Sequence, residues 1–406
     1  MPDSLNRVAI DRVDWKSVLP VLRLASAFKH ALQPGKLFVA FTAVLAIHLS
    51  GTVLDLVWTG SDDPYQAILK AYSGQLHQLF QSIFQIELGI GSLSSGVIGS
   101  LFALAFRIPH GSFSDHPWFT VVFGIDVLFV LAIASGVLTR MAASQVCANR
   151  LTSLSSAVGF IGKRWVWFLL TPLMPAVLLV LIAALLALTG LLFFNVPWLE
   201  AAGALLYGLF ILMGFVMAIV SMLLLFGLFL MPPALSVEGS DGFDAIARSF
   251  NYILFKPWQF GAYLLAAILY LAVVYVLIGT LASASVDATA EFVEFGAFTK
   301  AKEAEHARFD VVSGRANLPE GADASISAAV WLVARWAELV TALVIAILFS
   351  TLCCLQTQVY VLMRRTTDST PMNQYDSGDQ TDLWADSSEQ APADDATSKA
   401  EDGADG

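Results

Sequence analysis

Charged residues are scarce in this chain, at 14% of its 406 residues, whereas an average soluble domain holds about 25%. Apolar residues make up 57%, and the mean hydropathy is +0.70. The missing charges leave long apolar runs, which only a bilayer tolerates as a surrounding solvent. The shortage of charge therefore excludes an ordinary soluble domain and predicts an integral membrane protein.

The residue patterns of soluble-type active sites and metal sites are missing too. Cys147, Cys353 and Cys354 have no metal-ligand spacing and are expected to be buried small hydrophobic residues. No G-x-S-x-G or H-E-x-x-H motif occurs, and the one stretch near a phosphate-loop pattern has Arg164 where Ser or Thr is needed. We therefore expect a protein that is not an enzyme, with no catalytic residue, metal or cofactor.

Six apolar runs are each long enough, at about 20 residues, to cross a bilayer as a helix. Residues 1–36 are mixed and polar, so they predict no cleavable signal peptide, and the first run is expected to be an uncleaved anchor. The predicted parts are a cytoplasmic N-terminal segment with an interfacial helix (1–36), a membrane domain (37–363) and an acidic cytoplasmic tail (364–406). The predicted spans are 37–58, 118–139, 166–190, 204–231, 257–282 and 337–363.

The distribution of Lys and Arg predicts the orientation of these spans. The segments 1–36, 140–165, 232–256 and 364–406 hold 15 of the 22 basic residues, and the segments on the other side hold 6. Basic residues are enriched in cytoplasmic segments. The sequence therefore predicts a multi-pass protein of a bacterial inner membrane with both termini in the cytoplasm. It does not determine the oligomeric state.

Two segments between the first and second spans are expected to be outer-surface helices. Residues 88–106 are apolar enough to span, but a span there would move the basic residues of 140–165 outside. Ser92, Gly96 and Ser100 form a small-xxx-small row, so we expect this segment to pack on or dip into the outer leaflet. Before it, Asp63 and Pro64 are the expected start of an amphipathic helix. Its predicted apolar face is Tyr65, Leu69, Tyr72, Leu76, Leu79 and Ile83.

The stretch PPALSVEGSDGFDAIARSFNYILFKPW (232–258) predicts an interfacial helix between two spans. Pro232 and Pro233 are expected to stop the fourth span, and Asp241 to cap the new helix. Stretches before the first and third spans share this layout, which favours three repeats of interfacial helix plus transmembrane hairpin; chance similarity between apolar segments is the alternative. Asp244 and Arg248 are expected to pair, and the predicted apolar face is Phe243, Ile246, Phe250 and Ile253.

The residues VEGSDGFDAIARSF resemble the E-G-x-x-x-x-x-A-x-x-R-S box of a large group of bacterial membrane proteins. That group is related to the membrane domain found beside glycerophosphodiester phosphodiesterases. Two further stretches fit the same kind of protein, LTRMAASQVCANRLTSLSSAVGF and YVLMRRTTDST. We expect no phosphodiesterase domain, because spans, loops and tail use up the chain, so the resemblance implies a fold and no activity. The box falls on Glu238, Gly239, Ala245, Arg248 and Ser249.

Ionisable residues inside spans are costly and usually face the bundle interior. One interpretation is an outward-open polar cavity, in which Asp126 or Asp55 binds a cation or a proton in a small-solute or ion transporter. The other is a packing ion pair, such as Asp126 with Arg335, which the sequence favours because so few polar groups define no transport path. The candidate polar cluster is His48, Asp55, Asp126, Arg335 and Glu338.

Most of the net negative charge of the chain comes from its tail. Residues 366–406 hold 11 of the 33 acidic residues and one of the 22 basic ones, so the body is nearly neutral. The tail is predicted to be disordered, with Leu383 and Trp384 as either a docking motif or part of a solvating segment. Expected partners are the bilayer and a protein bound by the cytoplasmic helices or the tail, with no nucleic acid. The predicted function is a scaffold or accessory role, and the alternative is transport.

Overall fold

The computed structural model describes residues 20–58, 63–87, 89, 95–196, 198–297 and 324–375, and the regular elements in these ranges are all helices. A 3-10 helix (Pro20–Ser26) precedes α1, and a π-helix (Ala103–Arg107) joins α4 to α5. The α-helices are α1 (Ala27–Ala31), α2 (Pro34–Val57), α3 (Pro64–Phe84), α4 (Gly96–Phe102), α5 (Ile108–Asp115), α6 (Pro117–Ala148), α7 (Leu154–Phe194), α8 (Glu200–Glu238), α9 (Gly242–Phe255), α10 (Pro257–Ala297) and α11 (Ala324–Thr367).

Six of these helices, α2, α6, α7, α8, α10 and α11, are long and apolar enough to cross a membrane. The six predicted spans lie inside these six helices, in order, with one end of the first span, Trp58, just beyond α2. The described part of 88–106 forms the short helix α4 and part of the π-helix, and it is not among the six. The six-span prediction is therefore confirmed, and the chain is an all-α multi-pass membrane protein.

Both ends of the described chain lie at the same end of the helical bundle. The hydroxyl of Ser350, in α11, donates to the carbonyl of Ala31 at 2.9 Å, and the amide of Gln358 donates to Ser26 at 3.1 Å. We call this end, which holds residues 20–36, 136–164, 232–256 and 355–375, the terminal end, and the other the opposite end. The largest buried cluster lies mostly at the terminal end.

Small residues let the backbones of neighbouring helices approach each other closely at the terminal end of the bundle. Ala142, Ala143, Ala234 and Gly136 are buried where α6, α7, α8 and α11 meet. Such residues are typical of helix contacts in lipid, because burying large apolar side chains between helices gains little when the lipid is equally apolar. The leucine-rich surfaces of α7 and α8 accordingly face away from the protein.

The fourth span does not stop at Pro232 and Pro233, so that prediction was wrong. Helix α8 continues through both prolines to Glu238, and the residues from Pro233 to Val237 are buried. Packing of this last turn against α6 offsets the hydrogen bonds that the prolines cannot donate. The helix ends at Gly239, whose φ of 62° is left-handed and whose N–H bonds the carbonyl of Leu235 at 3.1 Å.

Helix α9 has the predicted cap, but its buried face agrees with the prediction only in part. The side chain of Asp241 accepts the N–H of Asp244 at 2.9 Å, as predicted. Phe243, on the predicted apolar face, is 63% exposed, and Phe250 is only partly buried, against Gly227 of α8. The protein-facing side is formed by Gly242, Ala245, Ser249, Tyr252 and Ile253, of which only Ile253 was on the predicted face. Phe243 points away from the protein, because the small residues on the other side allow close helix packing.

The predicted threefold repeat holds in only two of its units. Short helices precede the first and fifth spans, and each is followed by a break and a proline at the first turn of the span, Pro34 and Pro257. The stretch before the third span has no break, because 154–165 and the span form the single helix α7.

Helix α3 begins at Pro64 as predicted, but Asp63 does not cap it with its side chain. The carboxylate of Asp55, on α2, accepts the N–H of Tyr65 at 2.9 Å and does so instead. Tyr65, Leu79, Phe80 and Ile83 are buried, whereas Leu69 and Leu76 of the predicted face are about 40% exposed. Of the small-residue row, Gly96 and Ser100 are buried and Ser92 lies outside the described residues.

Candidate functional site

The acidic residue of the box, Glu238, lies in a buried polar contact at the terminal end. Its Oε1 is 2.8 Å from Nε of Arg364 and accepts the hydroxyl of Tyr360 at 3.1 Å. The side chains of Glu238 and Arg364 are 13% and 6% exposed. The Nε–H does not point along a hydrogen-bond direction, so the contact with Arg364 is chiefly ionic. This pair joins the end of α8 to the end of the last span.

The other four box residues lie in the turn after Glu238 and in helix α9. Gly239 turns the chain after Glu238, and Ala245, with no exposed surface, lets α9 approach its neighbours. Ser249 is fully buried and donates to the carbonyl of Ala245 at 2.7 Å. Arg248 pairs with Asp244 at 2.8 Å, as predicted, on the more exposed side of α9. The box residues thus take part in turns, packing and ion pairs.

The chain after the last span is attached to the same region; we call residues 366–375 the anchor segment. Tyr252 of α9 donates to Asp368, and Lys256 donates to the carbonyl of Thr366. Burial and the hydrogen bond to Asp368 raise the pKa of Tyr252, so the phenol stays protonated and serves as the donor. Arg364 donates from Nη1 to the carbonyl of Gln374 at 2.6 Å.

Arg140 completes the terminal end, and sequence reasoning did not single it out. It is only 5% exposed, and it donates to the carbonyl of Ser236 at 2.8 Å. Its guanidinium lies over the rings of Phe160 and Tyr375, 3.9 Å and 5.3 Å from their centroids. The sequence feature that could have indicated Arg140 is its position as a basic residue directly after the apolar run of the second span.

Lys36 is a second residue that the sequence did not indicate. Its side chain is fully buried, and Nζ donates to Oε1 of Gln145 and lies 3.5 Å from Sγ of Cys354. Gln145 in turn donates to Gln33 at 2.6 Å. These hydrogen-bond partners are neutral, so Lys36 ties α2 to α6 and α11 without an ion pair. The three cysteines are buried and free, as predicted.

The structure brings three of the five predicted cluster residues together at the opposite end. His48 faces the hydroxyl of Tyr65 at 2.9 Å on one side and a carboxylate oxygen of Glu338 at 3.6 Å on the other. Glu338 also pairs with Arg335, one turn earlier on α11. Burial first, then the carboxylates of Asp55 and Glu338, raise the pKa of Tyr65 to about 12. This arrangement connects α2, α3 and α11.

Asp55 adjoins that group only through Tyr65, and Asp126 binds a different residue. Asp126 accepts a hydrogen bond from Ser50, and Asp55 caps α3. The predicted example of a packing ion pair, Asp126 with Arg335, is therefore not formed, because Arg335 has Glu338 within reach on its own helix. A local pair of this kind requires no alignment of two spans.

We expect the energetic effects of Asp126→Asn and Arg335→Gln to add. Changes in the free energy of unfolding at two residues without a shared partner usually add to within about 0.5 kcal/mol. The double variant should therefore lose the sum of the two single losses. The measurement is the free energy of unfolding of the four purified proteins. A double variant more stable than either single one would mean that the two charges do pair.

The described residues contain no group of three or more His, Cys, Asp or Glu side chains that could hold a metal ion. Comparison with known families, with curated proteins and with solved structures finds no match for this chain. The class of protein, an all-α multi-pass membrane protein, therefore rests on its own helices, and its function has to be inferred from the contacts at the two ends of the bundle.

Proposed function

We propose that this protein is a non-enzymatic membrane scaffold or accessory protein that presents its acidic tail from a fixed position. The main observation behind the proposal is that hydrogen bonds attach the anchor segment to the terminal end of the bundle. Holding the backbone of each residue in one conformation costs roughly 1–2 kcal/mol. Here Tyr252, Lys256 and Arg364 supply contacts that offset this cost over a surface segment. A segment that only solvates the protein needs no such attachment.

The polar residues of the opposite end favour this function over transport. Of the five candidates, Asp126 and Asp55 are engaged by Ser50 and by the start of α3, and Arg335 by Glu338. Each contact satisfies a charge or stabilises a helix. Transporters commonly bind their substrate at broken helices, whereas these residues lie on α2, α6 and α11, each of which is one continuous helix.

Resemblance to the group with the membrane domain found beside glycerophosphodiester phosphodiesterases is part of this proposal. The resemblance is supported by the structural roles of four box residues, which lie close together. Glu238 forms the buried pair, Gly239 forms the left-handed turn, and Ala245 and Ser249 lie in the packed face of α9. An alignment of true homologues in which these positions vary freely would contradict it.

We also propose that the terminal end faces the cytoplasm of a bacterial cell, because it carries the excess of Lys and Arg. Cys147 is too buried to report this by labelling. Cysteine introduced at the exposed Ser155 (terminal end) should react with a membrane-impermeant maleimide only after permeabilisation. Cysteine at the exposed Ser114 should react in intact spheroplasts. The reverse pattern would place the terminal end outside.

The scaffold role is tested by removing the tail after Tyr375. We expect the shortened chain to keep the thermal stability of the full chain and to lose a stoichiometric protein partner and the rescue of a deletion strain. Substituting Leu383 and Trp384 by Ala tests whether these two side chains carry the contact. Asp126→Asn is the control, which should keep both the partner and the rescue. Loss of rescue in Asp126→Asn, with rescue by the shortened chain, would favour the transporter.

A further inference from the structure

A polar cleft with a volume of about 260 Å³ opens at the opposite end, between α3 and the segment that begins with α4. Gln75, Gln78 and Ser82 of α3 line it together with Gln85, directly after that helix, and Ser100 of α4 faces them. No apolar side chain contributes to its lining, although 57% of the chain is apolar. The cleft is distinct from the His48 group and from the terminal end.

The three glutamines Gln75, Gln78 and Gln85 and the serine Ser82 share one side of the helix because their positions follow the helical repeat. Another side is fixed by packing: Leu79, Phe80 and Ile83 are buried against α4, the π-helix and span α10. On α10, Tyr275 stacks on Phe80 with ring centroids 4.0 Å apart. This packing sets the rotation of α3. The amide groups are therefore held toward the cleft and do not depend on a mobile surface loop.

Several polar groups in this cleft lack protein partners. In the described part of the chain, the side-chain amides of Gln75, Gln78 and Gln85 make no hydrogen bond, whereas Gln81 contacts His77 at 2.9 Å. Ser100 is only 4% exposed, and its hydroxyl also has no described hydrogen-bond partner. The hydroxyl oxygen of Ser100 is open to the cleft, so it and the three amides can form hydrogen bonds to a molecule that enters from outside the protein.

We propose that this cleft binds a small, neutral, hydroxyl-rich molecule, a polyol or a sugar. Amide and hydroxyl side chains offer both donors and acceptors, which matches the mixed donors and acceptors of neighbouring hydroxyl groups. The lining carries one acidic and one basic residue, Glu87 and Arg107, so it selects neither sign of charge. An apolar ligand would meet a surface that is mostly polar. The volume lies below the range of about 300–1,000 Å³ for drug-sized ligands, which suits a molecule of monosaccharide size.

The test uses the purified full chain in detergent, with D-glucose and glycerol as probes and phenol and sodium phosphate as controls. Equilibrium dialysis and saturation-transfer NMR measure binding directly, because sugars also stabilise proteins without binding to a site. We expect saturable binding of D-glucose or glycerol and none of phenol or phosphate. Preferred binding of phenol or phosphate, or no saturable binding of either polyol, would overturn the proposal.

Substitutions inside and outside the cleft test whether the polyol binds there. Gln78→Leu and Ser100→Ala should each weaken polyol binding about twofold to tenfold, the effect of one neutral hydrogen bond. Gln66→Leu changes an exposed glutamine of α3 outside the cleft and should leave binding unchanged. Gln78 is exposed, so its substitution should not affect folding, and the thermal midpoint checks this. Equal weakening by Gln66→Leu, or none by Gln78→Leu, would show that the polyol binds elsewhere. The result does not depend on the scaffold role.

Discussion

Glu238→Gln and Arg364→Gln are each expected to destabilise the protein by about 3–5 kcal/mol, because either change leaves one buried charge without its partner. The pair is almost fully enclosed, with Arg364 only 6% exposed. The measurement is the free energy of unfolding in detergent. The double variant should lose much less than the sum of the two single losses, since no lone charge remains.

The matched control is the second ion pair of the same region, Asp244 with Arg248. Its side chains are 36% and 37% exposed, and exposed pairs of this kind contribute about 0–1 kcal/mol. Asp244→Asn should therefore change the free energy of unfolding by no more than that. Equal losses in Glu238→Gln and Asp244→Asn would show that burial of the Glu238 contact is not what stabilises the terminal end.

Gly51→Ala is the second substitution with a large expected effect. A Cβ atom at Gly51 would lie 2.3 Å from a ring carbon of Tyr65, whose side chain is buried between α2 and α3. Relieving such an overlap typically costs 1–3 kcal/mol. We expect a loss of about this size in the free energy of unfolding, together with weaker docking of α3.

Gly124→Ala provides the control for helix propensity. Gly124 also lies inside a span, but nothing lies within 4 Å of its added Cβ. Alanine there should stabilise the helix by about 0.5–1 kcal/mol or leave it unchanged. A stabilising effect of Gly51→Ala would mean that α3 does not rest on α2, and protease protection of α3 would report the same outcome independently.

The local elements could be predicted because their causes lie within a few residues. A span requires about 20 apolar residues in a row, and the six runs became six long helices. The cap at Asp241 and the pair of Asp244 with Arg248 involve neighbours three and four residues apart. The prediction that Pro232 and Pro233 end the fourth span was wrong, although proline disfavours a helix interior. Tertiary packing of the last turn stabilises the helix beyond both prolines.

The sequence by itself determined the membrane class and the number of spans. Only the tertiary structure decided which side of α9 faces the protein, because large apolar residues are as favourable against lipid as against other helices. It also decided the partners of Lys36 and Glu238, which lie on distant helices. Helical periodicity fixes which residues share a face, whereas pairing between helices depends on how those faces are rotated and brought together in space.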